Sequence, residues 1–222
     1  CGKKQKVYSD NFRKKHKVVN LFSGGLDSLI GAINQLRSSD DCVCLVSHTD
    51  SMFKGAKSDQ EDILKVLRRK YRHNHYLPTR VDMEKHDVNG DKYHKETTLR
   101  SRSFLFLSMA VLVADSIDKV MPVHIPENGT ISLNYPLTPS RRSTCSTRTT
   151  HPHFLQLMQN FLQSIGLNHC MVNDYQTCTK GEMVENCADR EMLLATYKYS
   201  CSCGKRGTRK DIRDDAHASH CG

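Results

Sequence analysis

The stretch Lys17-Val18-Val19-Asn20-Leu21-Phe22-Ser23-Gly24-Gly25-Leu26-Asp27-Ser28 decides the fold. Its first half is apolar and β-branched, the composition of a buried strand. Ser23-Gly24-Gly25 then turns the chain, and a helix follows in which Leu29, Ile30, Ile33 and Leu36 share one face. Two glycines let the backbone approach a ligand closely and take φ/ψ values that a Cβ forbids. The N–H groups at the start of the new helix converge on the same spot, which makes an anion site. Ser23 and Ser28 add hydroxyl donors, and the Asp27 carboxylate is placed to cap the helix or hold Mg²⁺. The pattern predicts a phosphate cradle at the carboxyl end of a parallel strand, rather than an ordinary glycine turn. No Lys-Ser/Thr pair follows the glycines, which excludes the kinase-type loop for β/γ phosphates.

Around this stretch lie 222 residues, enough for one α/β domain with a sizeable core. Hydrophobic residues at 37% and charged residues at 26% suit a soluble protein, and the longest apolar run, Phe104 to Ala114, is too short to span a membrane. No leader segment is apparent at Cys1-Gly2-Lys3-Lys4, and a chain running from Cys1 to Gly222 reads as an excised piece. Net charge is +9, favouring anionic partners, although the excess gathers at Lys3 to Lys17 and Lys205 to Arg213, which weakens the case for nucleic acid. Ten cysteines in a chain of this size read as reduced cytoplasmic thiols, some of them metal ligands. Cys42 and Cys44 sit in an apolar strand and read as core.

A second strand is expected over Asp41 to His48, ending in polar residues where parallel sheets bind ligands. There His48 is a candidate to pack on adenine, with a plain surface histidine as the alternative. Met52 to Lys57 read as loop and Ser58 to Tyr71 as helix, opened by a Ser58/Glu61 capping box. His75 to Val81 forms a third strand despite Pro78, and Asp82 to Thr98 a loop. Leu99 to Asp115 is a nearly all-apolar helix, expected to be buried all round. Its first turn carries Arg100 and Arg102, against the helix dipole, so a bound anion would compensate there. A fourth strand, Lys119 to Val123, leads into Pro126-Glu127-Asn128-Gly129.

Ile131 to Leu167 opens as a polar loop rich in hydroxyls and arginines, suited to a polar heterocycle or carboxylate. It ends in a helix with Phe154, Leu155, Met158, Phe161, Leu162 and Ile165 on one face, Pro152 in the first turn and Gly166 at the C-cap. Thr179 and Glu182 form a capping box, holding Lys180 where it could neutralise a transferring phosphate. Cys201, Cys203, His220 and Cys221 offer thiols and an imidazole to zinc, on weak spacing.

Taken in order, several segments resemble one family. Ser23-Gly24-Gly25-Leu26-Asp27-Ser28 is similar to the PP-loop of ATP pyrophosphatases. Together with Arg100-Ser101-Arg102-Ser103-Phe104, Thr179-Lys180-Gly181-Glu182-Met183 and Tyr199-Ser200-Cys201 followed by Cys221-Gly222, it resembles QueC-like 7-cyano-7-deazaguanine synthases. Glu127-Asn128-Gly129, Asn134 to Pro139 and Ser146 to His153 look closest to the QatC-type proteins of anti-phage systems.

The resemblance implies an open parallel sheet with helices on both faces, of the PP-loop or adenine nucleotide alpha hydrolase type, plus a small Cys-containing C-terminal element. Residues 1–15 would be a basic linker, 16–200 the synthase domain and 201–222 a partial zinc element. It further implies ATP, Mg²⁺ and Zn²⁺, and adenylation of the carboxylate of 7-carboxy-7-deazaguanine. Attack by ammonia, or by a protein amine of an operon partner, would follow. Ser23, Asp27 and Lys180 would be catalytic. Ser23, Gly24, Gly25, Leu26, Asp27, Ser28, His48 and Arg102 would hold the nucleotide. Glu127, Asn128, Asn134, Arg148, Thr149, His151, Thr179 and Glu182 would hold the substrate. The family zinc site has four cysteines, of which Cys201 and Cys221 match the first two; the others would lie beyond Gly222 unless Cys203 or His220 substitutes. No membrane partner is implied, and a homodimer is compatible. The alternatives are the housekeeping synthase using ammonia, a tRNA-modifying PP-loop enzyme, or a binding module that keeps the fold without the chemistry. With aromatics at 7% and no Trp, the chain shows no stacking surface for RNA.

Overall fold

The computed structural model describes residues 16–49, 54–81, 89–92, 102–133 and 150–202, with Lys54, Gly55 and Arg102 as backbone only. Five parallel strands form one open sheet in the order β3-β2-β1-β4-β5. They are β1 His16–Leu21, β2 Cys42–Thr49, β3 Asn74–Arg80, β4 Val123–His124 and β5 Met171–Val172. The helices are α1 Leu26–Ser38, α2 Lys54–Lys70, α3 Arg102–Ile117, α4 Gly129–Ser132, α5 Pro152–Ser164, α6 Lys180–Glu185 and α7 Arg190–Thr196. The α/β class and the parallel sheet agree with the sequence reading.

Alternation along the central strands divides the core in two. Val18, Phe22, Val43 and Leu45 pack with Leu29, Ile30 and Ile33 of α1, Ile63 and Leu67 of α2, and Met183, Met192 and Leu193. Val19, Leu21, Cys44 and Val46 face the other way, against Leu107, Ala110, Val111 and Ala114 of α3 and Leu155, Met158 and Leu162 of α5. Helices therefore cover both faces, which is why β1 and β2 read as continuous apolar runs. Asp189 joins the layers on the first face: it accepts from the Tyr71 hydroxyl, pairs with Lys70 at 2.7 Å and caps α7 through the Met192 N–H.

Several boundaries differ from expectation. α2 begins at Lys54, so Ser58 lies inside the helix and does not cap it, and residues 54–57 are not loop. α3 is not buried all round, since Phe104 is 47% and Leu112 61% exposed. An apolar helix packed on one sheet face has only one face to bury. In α5, likewise, Phe161 and Ile165 are exposed while Leu155, Met158 and Leu162 are buried. The fourth strand is shorter and later than Lys119 to Val123, because the chain first turns at residues 119–120. Pro78 is accommodated because β3 is the edge strand. Among the described residues no helix is long and apolar enough to cross a membrane.

The chain runs outward from β1 through β2 to β3, then returns to place β4 on the other side of β1. This reversal sets the carboxyl ends of β1 and β4 side by side, the position at which doubly wound sheets bind ligands. Gly31 lets the segment after β4 settle on α1, because a Cβ there would lie 2.3 Å from Pro126 Cβ. Gly31→Ala is expected to cost about 1–3 kcal/mol by overpacking. It should lower the urea midpoint without changing the slope of the unfolding transition.

Candidate functional site at the sheet reversal

The turn after β1 is held from several sides. Gly24 takes φ +88°, a left-handed conformation that favours glycine. The buried Gln60 donates to the Ser23 carbonyl at 2.9 Å, while its own carbonyl accepts from Tyr76 OH, which in turn accepts from Ser47 Oγ. The loop's amides meet hydroxyls. Gly24 N–H donates to Ser28 Oγ at 3.2 Å, Gly25 N–H to Ser23 Oγ at 3.3 Å and Leu26 N–H to Ser202 Oγ at 3.0 Å. Cys201 N–H donates to the Gly24 carbonyl at 3.0 Å, so residues 201–202 lie against the loop.

Asp27 starts α1 and is buried. Its Oδ2 accepts from the Asn128 backbone N–H at 3.1 Å and from the Asn128 side-chain amide. Its Oδ1 is buried without a hydrogen-bond partner and faces Lys180 Nζ at 3.8 Å. Lys180 arrives from α6, whose start is fixed by the expected capping box: Glu182 N–H donates to Thr179 Oγ1, and Thr179 N–H donates to Glu182 Oε2. Those bonds to Thr179 hold the exposed Glu182 carboxyl below its ordinary range. Its Oε2 is thus committed to the cap.

Glu127 adds a second carboxyl. Burial pushes it up to about 7; the Asp27 charge adds to the rise and Lys180 opposes it. The site therefore holds a carboxylate whose Oδ1 lacks a hydrogen bond and faces an ammonium group, beside a carboxyl that titrates near neutrality. Together they can take up a cation, an anion and a proton.

Of the residues singled out in the sequence, Ser23, Gly24, Gly25, Leu26, Asp27, Ser28, Glu127, Asn128 and Lys180 come together here, with Thr179 and Glu182 at the α6 cap. His48 is buried at the carboxyl end of β2, its ring centroid 6.4 Å from that of Phe106, rather than a surface side chain. His151 caps α5 through Nδ1, which accepts from His153 N–H at 3.2 Å. The Arg102 side chain, Asn134, Arg148, Thr149, Cys203 and Cys221 lie outside the described residues. Cys201 is half-buried beside the loop.

Gln60 and Ser202 were not singled out, and nothing in their local sequence marks them. At the other end of the sheet His16, Cys42 and His75 form a cluster that could hold a metal ion, with ligand atoms within 4.8 Å of one another. Cys42 is only half-buried, whereas Cys44 is core, as expected. No protein-family model matches the chain, and no curated protein matches it.

The raised Glu127 carboxyl has a consequence for stability. The folded protein keeps this proton to about pH 7, whereas an ordinary glutamate releases it near 4.5. Between those values the folded state binds more protons, so this group's contribution to stability falls as pH rises. Glu127→Gln removes the penalty. In denaturant titrations the variant should gain on the parent progressively from about pH 4.5 to 7, with no gain below that window.

Proposed function

We propose that the chain is a QueC-like PP-loop enzyme that adenylates the carboxylate of 7-carboxy-7-deazaguanine with ATP and passes the acyl group to an amine. One observation carries most weight: the buried Asp27 Oδ1, without a hydrogen-bond partner, at the start of the helix that follows the Ser-Gly-Gly turn. A buried carboxylate oxygen with no hydrogen-bond donor is costly, and the Lys180 ammonium at 3.8 Å offsets only part of that cost.

In the proposed reaction a substrate carboxylate oxygen attacks the α-phosphorus of ATP, and the bond to diphosphate breaks. The amine nitrogen then attacks the acyl carbon and AMP departs with the bonding electrons. The amides of Gly24, Gly25 and Leu26 would exchange their serine hydroxyls for diphosphate oxygens, which form stronger, charge-assisted bonds. Lys180 would neutralise negative charge growing at the α-phosphate. Glu127, with its carboxyl near 7, would take the proton released by the attacking amine. Mg²⁺ fits the carboxylate of Asp27, and when bound would neutralise phosphate charge.

Incubation with ATP, Mg²⁺ and the deazapurine acid should yield AMP and diphosphate, and Asp27→Asn should lower the rate by at least about 100-fold. Neither product above background would overturn the proposal. Where amine attack limits turnover, activity should rise with pH through about 7, and Glu127→Gln should remove that limb. A nitrile formed with ammonia would mark the housekeeping reaction. A partner protein gaining the mass of the deazaguanine acyl group would mark the defence type.

A further inference from the structure

We infer that His16, Cys42 and His75 form a zinc site at the amino-terminal edge of the sheet, with a fourth coordination position open to solvent. It is independent of the site at the carboxyl ends. His16 and Ser23 are seven residues apart along β1 and its exit, a span of roughly 20 Å at strand rise.

Three adjacent strands supply one ligand each: His16 opens β1, Cys42 opens β2 and His75 is the second residue of β3. Their convergence depends on an irregularity in β1. His16 pairs with Cys42, yet Val18 pairs with Val43, so one extra residue is inserted at Lys17. Without it His16 would share the face of Val18, towards α1 and α2. The bulge turns His16 onto the face of Cys42 and Cys44, as bulges do when they re-aim a side chain. Cys44 pairs with His75, which brings the second imidazole to that face from the other side.

Two of the three ligand–ligand distances are near those of a metal centre, and all three lie within 4.8 Å. His16 Nε2 lies 2.6 Å from His75 Nδ1, and Cys42 Sγ lies 3.5 Å from the same nitrogen. Zinc bonds of about 2.0–2.1 Å to nitrogen and 2.3 Å to sulfur imply ligand–ligand edges of about 3.3–3.6 Å in a tetrahedron. The sulfur–nitrogen edge already fits. The imidazoles need to part by less than about 1 Å, exchanging their mutual hydrogen bond for two metal bonds. Two histidines and a thiolate are a donor set that zinc prefers over the harder Mg²⁺ or Ca²⁺. Among the described residues three ligands converge, and the exposure of His75 leaves room for water as a fourth. The neighbouring thiol, Cys44, is not a competitor, because it is buried in the core with Leu107, Ala110 and Val111.

The test uses the full chain carrying Cys201→Ser, Cys203→Ser and Cys221→Ser, so that the tail thiols cannot contribute. After metal stripping, Co²⁺ should bind at one equivalent with a thiolate-to-metal charge-transfer band, and Zn²⁺ should displace it. His75→Ala should weaken binding by about 100-fold or more, beyond the range seen for losing a supporting group alone. Cys42→Ser should abolish the charge-transfer band even where weak binding persists. Zn²⁺ should raise the Tm of the parent and not that of either variant. His75 is exposed, and circular dichroism of His75→Ala checks that loss of metal is not loss of fold. An unchanged stoichiometry in both variants, or no charge-transfer band in the parent, would overturn the site.

Discussion

The arrangement of the site at the sheet reversal depends on the contact between Asp27 and Asn128. These residues are 101 positions apart, and the reversal in strand order brings the exits of β1 and β4 side by side. One carboxylate oxygen takes two donors from Asn128, which fixes the carboxylate and leaves its other oxygen aimed elsewhere. Asn128 also caps α4, its side-chain oxygen accepting from Ile131 N–H at 3.2 Å. The next residue extends the chain of contacts: Gly129 N–H donates to the Cys178 carbonyl at 2.7 Å, tying in the segment that leads to α6. Lys180 therefore reaches Asp27 from a segment tied down by Gly129, the residue next to the same asparagine. Replacing either partner would leave a buried polar group unmatched, a larger loss than the net value of one hydrogen bond.

Much of this was legible in the sequence because it is local. The strand, glycine turn and helix from Lys17 onward are a signal confined to a few residues, and the structure reproduces it. Pro152 at the start of α5, Gly166 at φ +82° beyond its end, and the Thr179/Glu182 box are equally short-range. The misplaced features depend on context. α2 gains a turn before Ser58 because adjoining residues continue the helix, so a serine with cap chemistry becomes an interior position. β4 and β5 are two residues each, too short for periodicity; β4 exists because β1 offers an edge to pair with, and β5 because β4 does. The apolar run in α3 gave the composition of its surroundings but not how far they wrap around it.

The two metal-relevant positions differ in the same way. Asp27 lies inside the loop motif, and its chemistry can be read beside its neighbours. His16, Cys42 and His75 come from three strands, and their meeting depends on a one-residue register shift that no linear spacing announces. Without pairing information Cys42 looks like Cys44, two positions along the same strand. Only the end of the strand, where the apolar layer gives way to solvent, separates a ligand from a core thiol.

The hydroxyls on the loop amides set a further constraint on any anion that binds there. Ser23 and Ser28 belong to the turn itself: Ser23 Oγ donates to Ser28 Oγ at 3.1 Å, and Ser28 Oγ donates to the Gly25 carbonyl at 2.9 Å. Ser202 comes from the far end of the described chain, and Cys201 N–H to Gly24 carbonyl anchors its backbone. An anion reaching the Leu26 amide must therefore displace a side chain, although the strand of chain behind it can remain. A serine rotamer change is a small rearrangement, and a phosphate oxygen returns a stronger bond than the hydroxyl it replaces. The exchange leaves every amide satisfied before and after, so the turn is stable without a ligand and still able to accept one.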